Sequence, residues 1–188
     1  GAAVAQMDQR IGSPMALPPG NPPVKPGLQG DMSKPHSIVV DQGGERYMRE
    51  SSSYMEIARA MRERDRQVPA VPSWLVLDSQ YLAKYMLAGT MPGSKKPKAW
   101  HDEQFLRRAD TLEELALACK MDPALLRRSV ERFNGFVRQG RDEDFHRGDH
   151  AYDRWLGDAL HQPSTTLGSI EKGPFYALPV YPGDVSTF

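Results

Sequence analysis

Apolar positions along the chain recur in two spacings, one typical of β-strands and one of α-helices. Short apolar runs bounded by turn residues, "HSIVV" and "PSWLVLD", predict buried strands. "PFYALPVYP" predicts a last strand, at a sheet edge or a strand end, because proline cannot donate to a ladder. Elsewhere, apolar residues three or four positions apart predict helices. Strands and helices that mix without a regular β-α-β alternation predict an α+β fold, with a small mixed or antiparallel sheet and packed helices.

One predicted helix carries a strong start signal. Ser53 suits the N-cap position, because Glu56 stands three residues later, where a capping box places an acidic side chain. The helix is predicted to run from Tyr54 to about Arg66. Its inner face is predicted to carry four apolar or aromatic residues, Tyr54, Ile57, Ala58 and Met61.

Three more helices are predicted from similar signals. "SQYLAKYMLAG" is predicted to end at Gly89, since glycine can adopt the left-handed conformation of a helix C-terminus. Thr111 stands in capping-box spacing at the start of "DTLEELALAC". Asp122 suits the cap of the longest helix, with Pro123 at its first position and Gly140 at its end.

Several segments are predicted to be loops or turns. Between Ser13 and Pro35, prolines and glycines exclude a helix or a central strand, while apolar residues among them favour an ordered loop over a flexible linker. We therefore divide the chain into a proline-rich arm over residues 1–35 and a domain over residues 36–188. The tract "RDEDFHRGDHAYDRW" is predicted to be a solvated loop because of its charge. A glycine-containing hairpin turn at "DQGGE" is predicted to precede a short strand over Arg46–Met48.

Charge and cysteine content narrow the function classes. The chain has 24 basic and 24 acidic residues, so it has no net positive charge that would attract nucleic acid. Cys119 is its one cysteine, which excludes an internal disulfide or a cysteine-rich metal site and suits a small core residue in a reducing cytoplasm. No run approaches the roughly 20 apolar residues of a membrane span. The abrupt first and last residues favour a domain taken from a longer protein.

Candidate catalytic chemistry is sparse in the sequence. The chain contains no dinucleotide-binding glycine motif, P-loop or nucleophile elbow. His146 and His150 are four positions apart, but Gly148 between them argues against a helix, so no metal site is predicted. Tyr54 is the stronger candidate, because the positive end of a helix dipole favours a phenolate that can accept a proton. A packing role for Tyr54 is the alternative that the residues alone leave open.

Five segments together resemble one enzyme family. They are "KPHSIVVDQGGERYMRESSSYMEIARAM", "VPSWLVLDSQYLAKYMLAG", "ADTLEELA", "VERFNGFVRQGRDEDFHRGDHAYDRWLGD" and "IEKGPFYALPVYPGDVST". In this order they are similar to the FAD-dependent 3-ketosteroid dehydrogenases, which are flavoproteins of the fumarate reductase superfamily. The resemblance covers nearly everything from Lys34 onward, and its fourth segment is the most specific. It implies the catalytic, substrate-side (cap) domain of a larger FAD-binding chain.

The resemblance also implies roles for individual residues. The family's tyrosine that helps to take a proton from the steroid, while flavin N5 takes a hydride, matches Tyr54. Tyr47 is implied to pack, and Arg49, which departs from the family's pattern, is expected to point to solvent. FAD is implied to be bound mainly by flanking parts of the parent chain, with Ser186 and Thr187 contributing.

The implied substrate is a 3-ketosteroid, and the introduction of a 1,2 double bond is the expected reaction. An apolar cleft is expected at five residues of two loops, Met15, Leu17, Leu87, Gly89 and Met91. The expected partner is the FAD-binding domain of the same parent chain, and the isolated chain is expected to be inactive. No nucleic acid, metal or membrane span is expected, although peripheral membrane association stays open.

Two other functions stay open. One is a dicarboxylate or other 2-enoate reductase of the same superfamily. Such an enzyme pairs its substrate's carboxylates with arginine and histidine, and neither occurs in "VYPGDVST", the segment expected beside the flavin. The other is a non-catalytic module that binds steroids or lipids.

Overall fold

A computed structural model describes residues 11–184, and within them five strands form one sheet. The strands are β1 (Gly12–Met15), β2 (Ser37–Val40), β3 (Ser73–Asp78), β4 (Arg107–Ala109) and β5 (Phe175–Asp184). The helices are α1 (Gln29–Met32), α2 (Tyr54–Asp65), α3 (Ser79–Lys84), α4 (Lys98–Asp102), α5 (Leu112–Ala118), α6 (Pro123–Gln139) and α7 (Ala151–Leu156). The strand order is β1-β5-β3-β2, with β4 also paired to β5, and each of these pairs is antiparallel. The predicted α+β class with a small antiparallel sheet is confirmed.

The sheet is buried on both faces, which explains the continuous apolar runs of β2 and β3. Alternate residues of a strand point to opposite faces, and the residues of these two strands divide between two hydrophobic clusters. On one face Val39 and Leu75 pack in a cluster that includes residues of α2 and α3. On the other face Val40 and Val76 pack in a cluster that includes residues of α5 and α6. Neither strand has a side that faces water, so their sequences do not need to alternate between apolar and polar residues.

The start of α2 has the predicted capping box. The Ser53 hydroxyl accepts a hydrogen bond from the Glu56 amide at 3.3 Å, and the Glu56 carboxylate accepts one from the Ser53 amide at 3.2 Å. The helix ends at Asp65, one residue before the predicted end. Of its predicted inner face, Ile57, Ala58 and Met61 are buried. Tyr54 lies instead at the exposed rim of that face.

The caps of α6 are also as predicted. Asp122 accepts hydrogen bonds from two amides of the first turn, and Pro123 occupies the first position. Gly140 follows the helix with a φ of 77°. In contrast, α3 ends at Lys84 and not at Gly89, because Tyr85 is already extended. Gly89 belongs to a tight turn beyond the helix.

Residues 13–35 are more regular than the sequence predicts. The exclusion of a helix is wrong, because α1 forms there, and the segment also contributes β1 to the sheet. Pro14 is tolerated because β1 is an edge strand in the sheet order. Three residues of the segment, Ala16, Leu28 and Met32, are fully buried in the core. The division of the chain at residue 35 stays a prediction.

The last strand does not lie at the edge. β5 pairs with β3 through residues 175–180, and also with β4 and β1, so the prediction of an edge strand is wrong. Its prolines fit for a local reason. Pro179 lies between residues 175–177, which pair with β4, and residues 181–184, which pair with β1. Because neither β4 nor β1 pairs with β5 at Pro179, the missing N–H of this proline breaks no hydrogen bond to those two strands.

The charged tract after α6 is not a solvated loop. It contains α7, and three of its side chains, Asp142, Arg147 and Asp153, are buried. The predicted strand at Arg46–Met48 is reduced to a single bridge between Val40 and Arg46. Gly44, with a φ of 101°, supplies the positive φ of the turn before it.

Cys119 is buried at the end of α5, as predicted, and burial raises the pKa of its thiol to about 12. No helix within residues 11–184 is both long and apolar enough to cross a membrane.

Candidate functional site

Tyr54 is the first residue of α2 and is held at the surface. Its side chain is 37% exposed, and its hydroxyl makes no hydrogen bond within residues 11–184. Because the capping box fixes the helix start, the ring has a defined place at the positive end of the helix dipole. A polar group in this position is free to contact a ligand.

The three serines before Tyr54 have separate roles. Ser53 caps α2. The Ser52 hydroxyl accepts a hydrogen bond from Arg49 Nε at 2.8 Å, and its carbonyl accepts one from Gln29 Nε2 at 3.1 Å. Ser51 is fully buried. The expectation that Arg49 points to solvent is wrong, since its side chain is only 23% exposed and holds this segment.

Tyr47 is a packing residue in the structure. Its hydroxyl forms a hydrogen bond of 2.6 Å with the Ser73 hydroxyl at the start of β3. Burial raises the pKa of Tyr47 above its ordinary value, which makes it a poor proton acceptor. The two tyrosines of this segment therefore differ, since Tyr47 is tied to the sheet and Tyr54 is open to solvent.

A buried ionic cluster supports the segment that leads to Tyr54. Arg46 is paired bidentately with Glu50, through bonds of 2.8 Å, and also with Asp142, through bonds of 2.7 and 3.0 Å. Arg147 contacts Glu50 at 3.2 Å and donates to two backbone carbonyls at 2.7 Å. Glu50 also accepts from the amide of Val39 in β2 at 3.1 Å. The cluster thus ties residues 46–50 to the sheet and to the tract after α6.

The charges of this cluster balance, with two guanidinium groups and two carboxylates. Burial alone would raise the pKa of Glu50, but the charges of Arg46 and Arg147 outweigh it and hold that pKa below its ordinary value. The pKa of Asp142 is likewise lowered, because its hydrogen bonds to Arg46 outweigh burial. Both guanidinium groups also lie over the ring of Phe133, at 5.1 and 5.6 Å.

Leu17 lies on a groove of about 630 Å³ beside β5. The groove is lined by aromatic and proline side chains that include Trp74, Phe105 and Pro179. Met15 is half-buried at the end of β1, where its sulfur fills the space that a side chain at Gly183 would need. Tyr54 does not line this groove.

The predicted residues of the second loop lie in a tight hairpin, residues 87–90. Leu87 and Thr90 exchange hydrogen bonds of 3.1 and 2.9 Å. Leu87 is fully buried, so its side chain belongs to the core, whereas Gly89 is exposed and Met91, just after the hairpin, is 63% exposed. Met86, just before it, is also exposed. With these two methionines beside it, the hairpin presents an apolar rim to its surroundings.

The turns from β3 to α3 and from β4 to α5 do not fit the phosphate part of FAD, the cofactor that the resemblance implies. A pyrophosphate needs free amides at a strand-to-helix turn. β3 passes directly into α3 at Asp78, whose own carboxylate occupies the amides of Gln80 and Tyr81. β4 leads into α5, whose first turn contains Glu113 and Glu114. Ser186 and Thr187, the predicted cofactor residues, lie outside the described residues.

Sequence reasoning missed the residues that connect these parts. Asp31 and Gln29 lie in α1, a helix that was not predicted, and they bond to the hairpin and to the Ser52 carbonyl respectively. Asp142 and Arg147 lie in a charged tract that resembles a solvated loop. The one available signal was the apolar Phe145 between them, since an apolar residue inside a charge run indicates partial burial.

The chain is similar in sequence and in structure to known flavoproteins. A family model described as "FAD binding domain" matches residues 1–188. The 3-oxosteroid 1-dehydrogenase of Mycolicibacterium smegmatis is 42% identical over 162 residues, which are 84% of this chain and 28% of that protein. The crystal structure of 3-ketosteroid delta1-dehydrogenase from Sterolibacterium denitrificans, in complex with 1,4-androstadiene-3,17-dione, superposes with a TM-score of 0.93 at 36% identity. That match covers 100% of this chain and 34% of the other.

A more distant comparison shows the fold alone. The open conformation of a flavocytochrome c3 fumarate reductase matches with a TM-score of 0.63 at 20% identity, over 95% of this chain and 26% of that one. The chain thus spans between 26% and 34% of the length of these three proteins.

Proposed function

The chain belongs to the FAD binding domain family, as its resemblance to FAD-dependent flavoproteins implied, and from this premise we propose that it is the substrate-side catalytic domain of a 3-ketosteroid dehydrogenase. The observation that carries this proposal is the superposition with TM-score 0.93 on a dehydrogenase that has a steroid dienedione bound. The 42% identity to a 3-oxosteroid 1-dehydrogenase favours introduction of a 1,2 double bond.

Tyr54 is proposed as the proton acceptor of the reaction. A 1,2 double bond forms when one carbon of the pair loses a proton and its neighbour loses a hydride. The proton leaves the carbon next to the 3-keto group, since that carbonyl acidifies it, and passes to the phenolate oxygen of Tyr54, which becomes a neutral hydroxyl. An exposed hydroxyl at the start of a capped helix supports this role. FAD is the oxidant of this family, and the residues that hold its phosphates are proposed to lie in other parts of the full-length protein.

The substrate cleft is proposed to form between this chain and the FAD-binding part of the same protein. Met15 at the end of β1 and Leu17 after it, together with Gly89 and Met91, remain the proposed apolar wall, and Leu87 supports this wall from the core, where its side chain is buried. A flat steroid requires a largely apolar pocket with few polar groups. The exposed methionines near the hairpin support this proposal, because large apolar side chains open to water mark contact surfaces.

Product analysis of the full-length protein tests the proposed function. Incubation with a 3-ketosteroid and an electron-accepting dye should yield a product that has lost two hydrogens and carries a 1,2 double bond. Fumarate, offered with a reduced dye in a parallel reaction, should not be consumed. Fumarate reduction without steroid oxidation would contradict the proposal and favour the dicarboxylate reductase instead.

We expect the 188-residue chain, expressed alone, to fold without retaining FAD or oxidising steroid. The physical reason is that Asp78 already occupies two amides at the turn from β3 to α3, and acidic residues fill the first turn of α5, so neither turn suits a pyrophosphate. The absorbance spectrum of the purified chain checks this, with the full-length protein purified in the same way as the control. A yellow preparation with one flavin per chain would show that this chain holds the cofactor itself.

A photoreactive 3-ketosteroid should label the proposed wall in the full-length protein. We expect adducts in the two loops that contain Leu17 and Met91, because these side chains are exposed and apolar. Peptide mapping by mass spectrometry identifies the adducts, and excess unlabelled steroid serves as the control because it should suppress them. Labels confined to residues 141–153 would contradict the proposed cleft.

A further inference from the structure

Helix α1 lies between the two parts of the proposed site. On one side Gln29 Nε2 donates to the Ser52 carbonyl at 3.1 Å, two residues before Tyr54, and to the Tyr152 hydroxyl at 2.9 Å. On the other side Asp31 Oδ1 accepts from the Ala88 amide at 3.0 Å. One short helix therefore bonds to the start of α2 and to the hairpin at residues 87–90.

The conformation of the hairpin at residues 87–90 depends on the hydrogen bond from Ala88 to Asp31. Its two central residues, Ala88 and Gly89, have φ values of 45° and 81°, as a two-residue turn of this hand requires. Alanine adopts this conformation rarely. The buried Ala88 amide has Asp31 as its acceptor, so the carboxylate both satisfies the amide and secures the unusual backbone conformation.

The same residue secures the approach to the hairpin through its backbone. The Tyr81 hydroxyl, buried in α3, lies 3.0 Å from the Asp31 carbonyl and 3.0 Å from the Met86 carbonyl. Beyond the hairpin, Lys96 Nζ donates to the Met91 carbonyl at 3.1 Å. The charged or titratable groups that face the Asp31 carboxylate are Lys34, Lys96 and the Tyr81 hydroxyl. Burial raises the pKa of Asp31 to about 6.

We propose that Asp31 is a positioning residue, which holds the hairpin at the separation from Tyr54 that a bound steroid needs. This inference rests on the proposed function. Proton transfer from the substrate requires its reacting carbon to be held close to Tyr54 and aligned with it. The hairpin provides the opposing apolar contact, and α1 fixes its distance from the start of α2. Asp31 therefore acts on substrate binding through Ala88, without touching the substrate.

Two substitutions in the full-length protein test this role. Asp31→Ala removes the acceptor of the Ala88 amide, and we expect KM for a 3-ketosteroid to rise at least about tenfold, with a smaller change in kcat. Asp31→Asn keeps an uncharged acceptor, so its KM at about pH 8 should lie between those of the wild type and Asp31→Ala.

Asp65→Ala is the matched control, because Asp65 also accepts from loop amides, at 2.8 and 3.0 Å, but at the opposite end of α2 from Tyr54. Its KM should be unchanged.

The pH dependence separates positioning from simple loss of structure. As the pH falls through about 6, Asp31 takes up a proton and becomes a weaker acceptor, so the wild-type KM should rise, whereas KM of Asp31→Asn should stay flat. The melting temperature gives a second readout. Because the fold raises the pKa of Asp31, the charged carboxylate opposes folding above that pH, and Asp31→Asn should melt no lower than the wild type at about pH 8.

The possible failures are distinguishable. Normal steroid turnover in the wild type, with KM within about twofold for Asp31→Ala, would overturn the inference alone. A KM that rises only in parallel with a fall in melting temperature, in both variants, would also overturn it in favour of a structural role. A wild-type protein that does not oxidise steroids would overturn the proposed function, and this inference with it.

Discussion

Replacing Tyr54 by phenylalanine should lower kcat of the full-length protein by about 10²- to 10⁴-fold, the range typical of a lost acid-base group. The substitution removes one oxygen from an exposed position and leaves the ring in place. Because the hydroxyl acts mainly in the transition state, KM should change little. The melting temperature should also be unaffected, since the hydroxyl makes no hydrogen bond within residues 11–184. Steady-state kinetics and thermal unfolding of this one variant measure all three quantities.

Tyr47→Phe is the matched control for this prediction. The same hydroxyl oxygen is removed seven residues earlier, but its removal there breaks a partly buried hydrogen bond to Ser73. We expect Tyr47→Phe to lose about 1 kcal/mol of stability and to retain near-normal kcat. If Tyr54→Phe keeps its turnover within about threefold of the wild type, the hydroxyl of Tyr54 is not the proton acceptor.

Replacing Glu50 by glutamine should have the largest effect on stability. The substitution removes a charge that is buried between Arg46 and Arg147 and leaves Asp142 as the one carboxylate of the cluster. Breaking a buried ion pair costs about 3–5 kcal/mol, because the remaining charge stays desolvated. For a domain of this size the melting temperature should fall by about 10 °C. Thermal and denaturant unfolding of the full-length protein measure the change.

Glu63→Gln provides the control for this variant. Glu63 pairs with Arg59 on the exposed face of α2, at 2.7 Å, where water screens both charges. We expect almost no change in melting temperature. The difference between wild type and Glu50→Gln should also shrink as the pH falls below the ordinary Glu pKa of 4.5, because the unfolded wild-type chain then takes up a proton at Glu50 while the folded protein, in which that pKa is lowered, keeps the charge. Equal effects of the two substitutions would show that the buried cluster contributes no more than a surface pair.

Local signals predicted the helix that carries Tyr54. The capping box of Ser53 and Glu56 spans four residues, so both halves of the interaction are visible in the sequence. The caps of α6 were predictable for the same reason. The apolar runs of β2 and β3 were equally informative, because burial on both faces leaves no polar alternation to obscure them.

Long-range interactions explain what the sequence did not predict. Arg46 and Asp142 are 96 residues apart, and charged residues without a known partner resemble a solvated surface. Helix α1 contains Gly30 and Asp31, which are poor helix formers, and contacts to distant residues accompany its formation. The central place of β5 was hidden by its prolines, which favour an edge unless the partner strands leave a gap.

Anaerobic mixing of the full-length protein with a 3-ketosteroid tests whether it oxidises steroids with Tyr54 as the proton acceptor. Loss of the oxidised-flavin absorbance reports the transfer of two electrons from the steroid, before any external acceptor takes part. The assignment of Tyr54 as the proton acceptor predicts rapid bleaching in the wild type, and bleaching slowed by about 10²- to 10⁴-fold in Tyr54→Phe at saturating steroid. Bleaching at the same rate in both proteins, or none in the wild type together with rapid reoxidation of its reduced flavin by fumarate, would contradict it.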